Sequence, residues 1–228
     1  MCNQSGVSFA QASLQEEEVR GKTVLEVGSC DFNGSVRNVV SLWQPLKYVG
    51  VDLCPGPGVD EVCDVGDLVR RFGAGSMDLV VSTELLEHVA KWRVAVSNLK
   101  RVLKPGGTLL ITTRSLGFGY HGYPFDFWRF EVEDMRVVFC DLHIEILEKD
   151  PVCPGVFLKA RKPTAFAEKD LSGYNLFSIV RGRRCSEVRP WDLHLFKAWR
   201  GVRLSLGRIL PDSLKAFIKK SILRETAG

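Results

Sequence analysis

The segment VLEVGSCDFNGSVR, from Val24 to Arg37, begins with residues typical of a buried strand, and a glycine-bearing turn then leads into a helix. In an open α/β sheet such a turn lies at the carboxyl end of its strand, where ligands bind. A dinucleotide site is built on the pattern G-x-G-x-x-G, but the second glycine position here is Cys30. The segment therefore predicts an α/β ligand site and disfavours a dinucleotide.

Outward from this segment, short β-rich runs alternate with helical patterns. The five runs are TVLEV (23–27), KYVGVD (47–52), DEVCD (60–64), MDLVVS (77–82) and GTLLITTR (107–114). This alternation predicts a parallel sheet wrapped by helices. Two later runs, LHIEILEKD and GVFLKARK, are joined by PVCPG and predict an antiparallel hairpin. We therefore predict an α/β fold with a Rossmann-like, seven-stranded mixed sheet and helices on both faces.

The chain divides into three predicted parts. Residues 1–20 form an N-terminal helical lead, residues 21–162 form the main domain, and residues 163–228 form a linker and a basic, amphipathic helical extension. The segment KPTAFAEKDLSG (162–173) is the predicted linker.

The composition, 228 residues with 45% hydrophobic and 25% charged, is typical of a soluble globular chain of one domain, with or without an appendage. We find no secretory signal pattern and no apolar run long enough to span a bilayer, so we expect a cytoplasmic protein. The seven cysteines form no C-x-x-C pair and have no histidine at metal-ligand spacing. Reduced thiols and no metal are expected.

Acidic residues end the second and third predicted strands. An adenosine joined to an amino acid needs a close turn, a carboxylate for the ribose and a polar partner for the adenine. Gly28 allows the turn, Asp52 offers the carboxylate, and Asp64 is placed to accept from the adenine amino group. Either carboxylate alone is typical of a solvated turn, but their placement at successive strand ends favours a ligand site.

Five segments follow one another in a set order: VLEVGSCDFNGS, YVGVDL, CDVGDL, FGAGSMDLVVSTELLEHV and LKRVLKPGGTLLITT. In these segments, about residues 20–162, the chain resembles the class I S-adenosylmethionine-dependent methyltransferases, particularly the branch with a type 11 methyltransferase domain. The resemblance implies methyl transfer with S-adenosylmethionine as the cofactor. The chain departs from the family in the glycine loop, where the usual G-x-G-x-G is G-S-C-D-F-N-G.

The resemblance also implies which residues bind the cofactor. Glu26 and Gly28 shape the pocket for its methionine end, Asp52 holds the ribose, and Asp64 meets the adenine. The full set of cofactor residues that we expect is Glu26, Gly28, Ser29, Asn33, Asp52, Leu53, Asp64, Val65, Ser82 and Glu84. For Asn33, a second interpretation is that its side chain caps the following helix.

Sequence motifs that are typical of particular methyl acceptors narrow the class of acceptor that we expect. Methyltransferases that act on amino groups of nucleic-acid bases share a D-P-P-Y-like motif after the fourth strand, where this chain has STEL (82–85). Neither the Pro-Cys nucleophile of cytosine-carbon enzymes nor the Asp, Asp, Asn cluster of the metal-dependent catechol type is found in the expected place. We therefore expect a small-molecule, glycan or lipid-linked acceptor, methylated at oxygen, and expect neither nucleic acid nor metal.

The aromatic segment GFGYHGYPFDFWRF (117–130) follows the fifth strand, where the family covers its acceptor. His121 is the predicted general base, because an unperturbed imidazole pKa of ~6.5 suits proton removal near neutrality. His88, in ELLEHV, is the second candidate. The predicted acceptor contacts are Tyr120, Tyr123, Asp126 and Trp128. An alternative for Asp126 is an ion pair with Arg129 that holds the loop.

The last quarter of the chain is basic. From Asn175 to Gly228 it has 12 Lys+Arg against 4 Asp+Glu, whereas residues 1–174 have 19 against 23. Its apolar residues recur at helical spacing in two segments. Packing on the main domain or a partner, peripheral membrane contact and binding of an anionic substrate all remain open, whereas no nucleic-acid recognition module is found.

Two functions of different kinds fit these patterns. The first is an S-adenosylmethionine-dependent methyltransferase. The alternative is a non-catalytic scaffold or regulatory subunit that binds the cofactor and uses the basic tail as an interaction surface. A nicotinamide oxidoreductase is disfavoured by Cys30 in the glycine loop.

Overall fold

A computed structural model describes residues 4–32, 34–122 and 124–209, with side chains of the last helix described through Val202. The chain forms two compact units, residues 1–187 and residues 188–228.

Among its described residues, the first unit contains ten strands and five α-helices. The strands are β1 (Thr23–Val27), β2 (Lys47–Asp52), β3 (Glu61–Val62), β4 (Met77–Thr83), β5 (Leu103–Arg114), β6 (Trp128–Arg129), β7 (His143–Lys149), β8 (Gly155–Arg161), β9 (Leu176–Ser178) and β10 (Arg183–Cys185). The α-helices are α1 (Gln4–Ser13), α2 (Arg37–Val40), α3 (Leu68–Phe72), α4 (Trp92–Val102) and α5 (Val132–Val138).

Seven strands form the main sheet in the order β3-β2-β1-β4-β5-β8-β7. The first five are mutually parallel, and β8 runs antiparallel to both β5 and β7. This confirms the predicted sheet and its C-terminal hairpin. The chain runs from β1 outward to β2 and β3 and then returns to β4 on the other side of β1. The connections after β1 and β4 therefore lie next to each other at the carboxyl ends of these strands, which is where ligands bind in sheets of this kind.

Helices cover both faces of the sheet, as predicted. On one face, α1 and α2 bury apolar side chains against β1, β4, β5 and β8, and the rings of Phe9 and Phe157 stack at 4.7 Å. Elsewhere α4 contacts β5, and α5 contacts β7 and β8. The N-terminal lead therefore contributes to the core.

The segment that was predicted to be a linker belongs to the first unit. Strand β9 pairs with β10 and with β6, and the three strands form an antiparallel sheet. Strand β6 lies in the aromatic segment 117–130, which we call the acceptor loop. The guanidinium of Arg93, on α4, donates hydrogen bonds to the carbonyl oxygens of Leu171, Tyr174 and Ser186. These contacts move the boundary of the unit from residue 162 to residue 187.

The second unit contains α6 (Pro190–Ile209). Trp191, Leu195, Trp199 and Val202 are exposed on this helix. No helix in the described part of the chain is both long and apolar enough to cross a membrane.

Candidate active site

The turn after β1 has the close geometry that the sequence predicted for Gly28. Its φ is 81°, in the left-handed region that favours glycine, and its N–H donates to the carbonyl of Val51 at 2.9 Å. A Cβ at this position would lie 3.3 Å from the side chain of Leu85, on the connection after β4. A glycine at residue 28 therefore lets the turns after β1 and β4 approach each other.

Cys30 fits in this loop because a neighbouring loop provides the space. A Cβ at Gly56 would lie 2.5 Å from the Cys30 sulfur, so a side chain at residue 56 would collide with it. The Asp31 N–H donates to the carbonyl of Pro57 at 2.8 Å and ties the two loops together. The absence of the second glycine is thus matched by a glycine in the loop after β2.

Asp52 lies at the carboxyl end of β2 and faces the turn after β1. Its Oδ2 atom accepts from the Cys30 N–H at 3.1 Å, and its Oδ1 atom accepts from the Leu53 N–H at 2.7 Å. The carboxylate is partly exposed, and the side chain of Leu53 is 60% exposed. A carboxylate oriented in this way retains lone pairs for ribose hydroxyls.

Asp64 has a structural role beside its predicted one. Its Oδ1 atom accepts from the Gly66 N–H at 2.6 Å and caps the 3₁₀ helix Val65–Asp67. The residue is exposed, whereas Val65 is buried. The cap fixes the position of the Asp64 backbone at the carboxyl end of β3.

Glu26 is a buried acid on β1. Its Oε2 atom accepts a hydrogen bond from the Tyr48 hydroxyl at 2.7 Å. Burial raises the pKa of Glu26 to about 7, although the Tyr48 hydrogen bond and the nearby Arg37 guanidinium act in the opposite direction. A cationic ligand group beside Glu26 would favour its ionised form.

Three buried hydroxyl groups at the carboxyl ends of β1 and β4 have no hydrogen-bond partner among the described residues: Ser29 Oγ, Ser82 Oγ and Thr83 Oγ1. Ser29 follows β1, and Ser82 and Thr83 are the last two residues of β4. Buried polar groups normally have a partner, so these hydroxyls indicate a polar ligand at the site. S-adenosylmethionine fits, because its amino-acid end carries both donors and acceptors.

Glu84 begins the connection after β4 with a left-handed φ of 53°. Its side chain is buried, accepts from the Thr112 hydroxyl at 2.9 Å and pairs with the guanidinium of Arg114. The ion pair ties this connection to β5. Glu84 therefore stabilises, from a buried position, the connection after β4, next to which the cofactor is predicted to bind.

A cluster of three polar side chains, Glu87, His88 and His121, joins the connection after β4 to the loop after β5. In the stretch 85–103 apolar residues recur at helical spacing, and the structure divides it into the 3₁₀ helix Leu86–His88 and α4. Within the short helix, the carboxylate of Glu87 is fully buried and its Oε2 atom accepts from the Thr113 hydroxyl at 2.9 Å. Its Oε1 atom lies 3.7 Å from Nε2 of His121 and 3.9 Å from Nε2 of His88.

His121 is held between two carboxylates. Its Nδ1 atom lies 2.9 Å from Oδ2 of Asp126, and its backbone N–H donates to the same oxygen at 3.0 Å. Burial lowers the pKa of His121, but the interactions with Asp126 and Glu87 outweigh burial and raise it to about 9. The imidazole is therefore protonated at neutral pH in this environment, unlike the unperturbed histidine on which the sequence argument rested.

Asp126 and Trp128, which are predicted to contact the acceptor, are buried within the protein. The guanidinium of Arg129 donates to both Asp126 oxygens, at 2.6 and 2.7 Å, which is the alternative pairing considered above. Burial raises the pKa of Asp126, but Arg129 and His121 hold it well below its ordinary value. Trp128 Nε1 donates to the carbonyl of Val89 at 3.0 Å. Both residues shape the acceptor loop from inside.

The remaining predicted residues divide into two groups. Tyr120 is half-buried in the loop beside His121. Asn33 and Tyr123 lie outside the described residues. Sequence reasoning missed Glu87 because the apolar residues around it fit a packing helix; the signal was a carboxylate beside a histidine within an otherwise apolar stretch.

Comparison with known families gives the class of this chain. The family described as "Methyltransferase domain" matches residues 8–143, more than half of the sequence. The chain therefore belongs to the methyltransferase domain family, and its resemblance to the class I S-adenosylmethionine-dependent methyltransferases is confirmed.

Curated relatives match over part of their length. A probable phthiotriol/phenolphthiotriol dimycocerosates methyltransferase 2 of Mycobacterium ulcerans is 30% identical over 113 residues, which are 44% of this chain and 43% of the relative. The chloroplastic tocopherol O-methyltransferase of Arabidopsis thaliana is 29% identical over 48% of this chain and 35% of the relative. A fatty-acid O-methyltransferase of Mycolicibacterium smegmatis is 28% identical over 48% and 43%. The matched region thus spans less than half of each relative.

Solved structures share the fold at low identity. A 1,6-didemethyltoxoflavin-N1-methyltransferase of Burkholderia thailandensis, with bound S-adenosylhomocysteine, superposes with a TM-score of 0.54 at 16% identity, over 69% of this chain and 78% of the other. The [4+2]-cyclase SpnF superposes with a TM-score of 0.52 at 15% identity, over 70% and 80%. A methyltransferase and a cyclase therefore resemble this fold equally well, so the fold alone does not define the reaction.

Proposed function

We propose that this protein transfers a methyl group from S-adenosylmethionine to a hydroxyl oxygen of a small-molecule, glycan or lipid-linked acceptor. The observation that carries the proposal is the placement of the His121 imidazole, oriented by Asp126 in the loop after β5 and 3.7 Å from Glu87 on the connection after β4. The names of three partial relatives, which refer to phthiotriol or phenolphthiotriol dimycocerosates, to tocopherol and to fatty acids, support such an acceptor.

The residues of β1 and β2 account for donor binding. Asp52 offers its carboxylate to the ribose hydroxyls, and Glu26 lies where a carboxylate would favour the ammonium of the methionine end. The hydroxyls of Ser29 and Ser82 are available to the polar tail. The sulfonium of this donor supplies an activated methyl group, so the protein has chiefly to align acceptor and donor, an effect worth ~7 kcal/mol or more.

His121 and its neighbours account for the acceptor side. Asp126, which is paired with Arg129, holds the Nδ1 side of the imidazole. The Nε2 atom, on the other side of the ring, faces the carboxylate of Glu87. In this proposal the neutral form of His121, which becomes the major form only above a pH of about 9, takes up the hydroxyl proton as the oxygen attacks. General-base assistance of this kind typically contributes about 10² to 10⁴ in rate.

Calorimetric titration with S-adenosylmethionine, S-adenosylhomocysteine and NAD tests the donor site. We expect the first two to bind with a Kd of about 1 μM or tighter, about −8 kcal/mol. Asp52→Ala should weaken both by about tenfold to a hundredfold, since it removes charged hydrogen bonds worth about 1.5–3 kcal/mol each. Asp170→Ala, at an exposed carboxylate, is the matched control. Absence of binding to folded protein, or NAD as the preferred ligand, would overturn the proposal.

The buried acid on β1 predicts a pH dependence of donor binding. Because the pKa of Glu26 is about 7, its carboxylate is ionised above that pH and takes up a proton below it. A donor ammonium prefers the ionised form, so affinity should fall by up to about tenfold between pH 7.5 and pH 6. Glu26→Gln should bind weakly at both pH values. A wild-type affinity that is constant across this range would show that Glu26 does not face the donor ammonium.

A further inference from the structure

Three side chains beside the acceptor loop direct ligand atoms at one point. They are Glu87, His88 and His121, each of which offers one ligand atom within 4.8 Å of the other two. Two histidines and one carboxylate are a common donor set for transition-metal ions in proteins. The cluster was not foreseen from the sequence, because the residues come from two separated segments.

The other nitrogen of each imidazole is already engaged. His88 Nδ1 lies 2.6 Å from the carbonyl oxygen of Phe125, and a carbonyl can only accept, so Nδ1 carries the hydrogen. His121 Nδ1 faces the Asp126 carboxylate in the same way. Hydrogen bonding at Nδ1 leaves both Nε2 atoms as the ligand positions. Carbonyl and carboxylate partners of this type orient the histidines of known metal sites.

Glu87 provides an independent observation. Its side chain is 0% exposed, and its Oε1 atom makes no hydrogen bond among the described residues, because its contacts with His121 Nε2 and His88 Nε2 are 3.7 and 3.9 Å long. Thr113 holds only the other oxygen. A fully buried carboxylate oxygen without a partner is costly unless a cation or a donor faces it.

We propose that Glu87, His88 and His121 bind one divalent transition-metal ion, with open coordination positions for the acceptor. Metal–ligand bonds to nitrogen and oxygen are about 2.0–2.2 Å, which places neighbouring ligand atoms about 3.0–3.6 Å apart. The two distances from Glu87, 3.7 and 3.9 Å, need a contraction of a few tenths of an ångström, and the two histidine ligand atoms, within 4.8 Å of each other, approach further through rotation of the half-buried imidazole rings. Imidazole ligands favour zinc, copper, iron or nickel over magnesium, calcium and manganese.

The role of the ion rests on the proposed function. An acceptor hydroxyl in an open position would lose its proton to water, because a bound divalent cation lowers the pKa of the oxygen it contacts. The oxygen lone pair then forms the new C–O bond, the C–S bond breaks with its electrons moving to sulfur, and S-adenosylhomocysteine and one proton are the other products. With Nε2 of His121 on the ion, His121 orients the acceptor through the metal and is not itself the base.

Titration of tag-free, chelator-treated protein with Co²⁺ tests the site. We expect one equivalent to bind and give visible d–d absorption, which Zn²⁺ removes and Mg²⁺ does not. Glu87→Gln, His88→Ala and His121→Ala should each weaken binding by at least a hundredfold. His143→Ala and Glu148→Gln, at exposed positions on β7, are the matched controls and should bind as the wild type does.

The outcomes separate this proposal from the proposed function. Donor binding without the Co²⁺ spectrum, or a spectrum that persists in all three variants, would overturn the metal site alone. A Co²⁺ spectrum in protein that binds no donor would overturn the methyltransferase and keep the metal site. Full turnover by chelator-treated protein would overturn the catalytic role of the ion and return the base role to His121.

Discussion

His121→Ala is expected to lower turnover by about 10² to 10⁴ while donor affinity stays within a few-fold of wild type. The imidazole lies in the loop after β5, whereas the donor residues lie on the turns after β1 and β2, so the substitution acts on the acceptor side. Release of S-adenosylhomocysteine, measured with a hydroxylated aromatic or lipid acceptor that the wild type methylates, gives turnover. Calorimetry gives donor affinity in the same preparation.

The matched control is His143→Ala, which removes an imidazole from the exposed side of β7 and should leave turnover unchanged. Both roles considered for His121, proton removal and metal ligation, require this loss of turnover, and the cobalt titration distinguishes them. Turnover close to wild type would remove His121 from the reaction altogether.

Arg129→Leu is expected to lower the free energy of unfolding by about 3–5 kcal/mol, because it removes the guanidinium that pairs with both oxygens of the buried Asp126 carboxylate. The Arg129 side chain is 1% exposed, and it also donates to the carbonyl oxygens of Phe118 and Gly119. Urea denaturation measures the loss as a lower midpoint with an unchanged slope.

Two variants give this prediction its controls. The double variant Asp126→Leu with Arg129→Leu leaves no unpaired charge and should lose less stability than Arg129→Leu alone. Arg70→Ala removes an exposed partner of Asp67 and should change stability little. A double variant less stable than Arg129→Leu would show that the lost carbonyl contacts, and not the unpaired carboxylate, dominate.

Much of the fold could be predicted because each element of the main sheet carries a local signal. The runs at 23–27 and 47–52 are apolar and β-rich, and the structure has strands with those bounds. The hairpin followed from the short connection PVCPG between two β-rich runs. These patterns depend on neighbouring residues alone, so a single sequence contains them.

The parts that differed from prediction depend on distant contacts. Arg93 contacts the carbonyl groups of 171, 174 and 186, and no pattern near any of these residues indicates the pairing. Trp128 was expected at the acceptor because aromatic residues in a loop fit a binding wall, but pairing of β6 with β9 buries it. Glu87 resembled a helix-surface residue until the 3₁₀ turn and the loop after β5 enclosed it.

The contact between Cys30 and Gly56 has a consequence for how such chains diverge. The two positions share one volume, so a larger residue at 56 is compatible with the turn after β1 only if residue 30 becomes smaller. Selection would therefore act on the pair and not on either residue singly. A lineage can exchange the small residue between the two loops, passing through a form that is small at both, while the ligand edge keeps its shape.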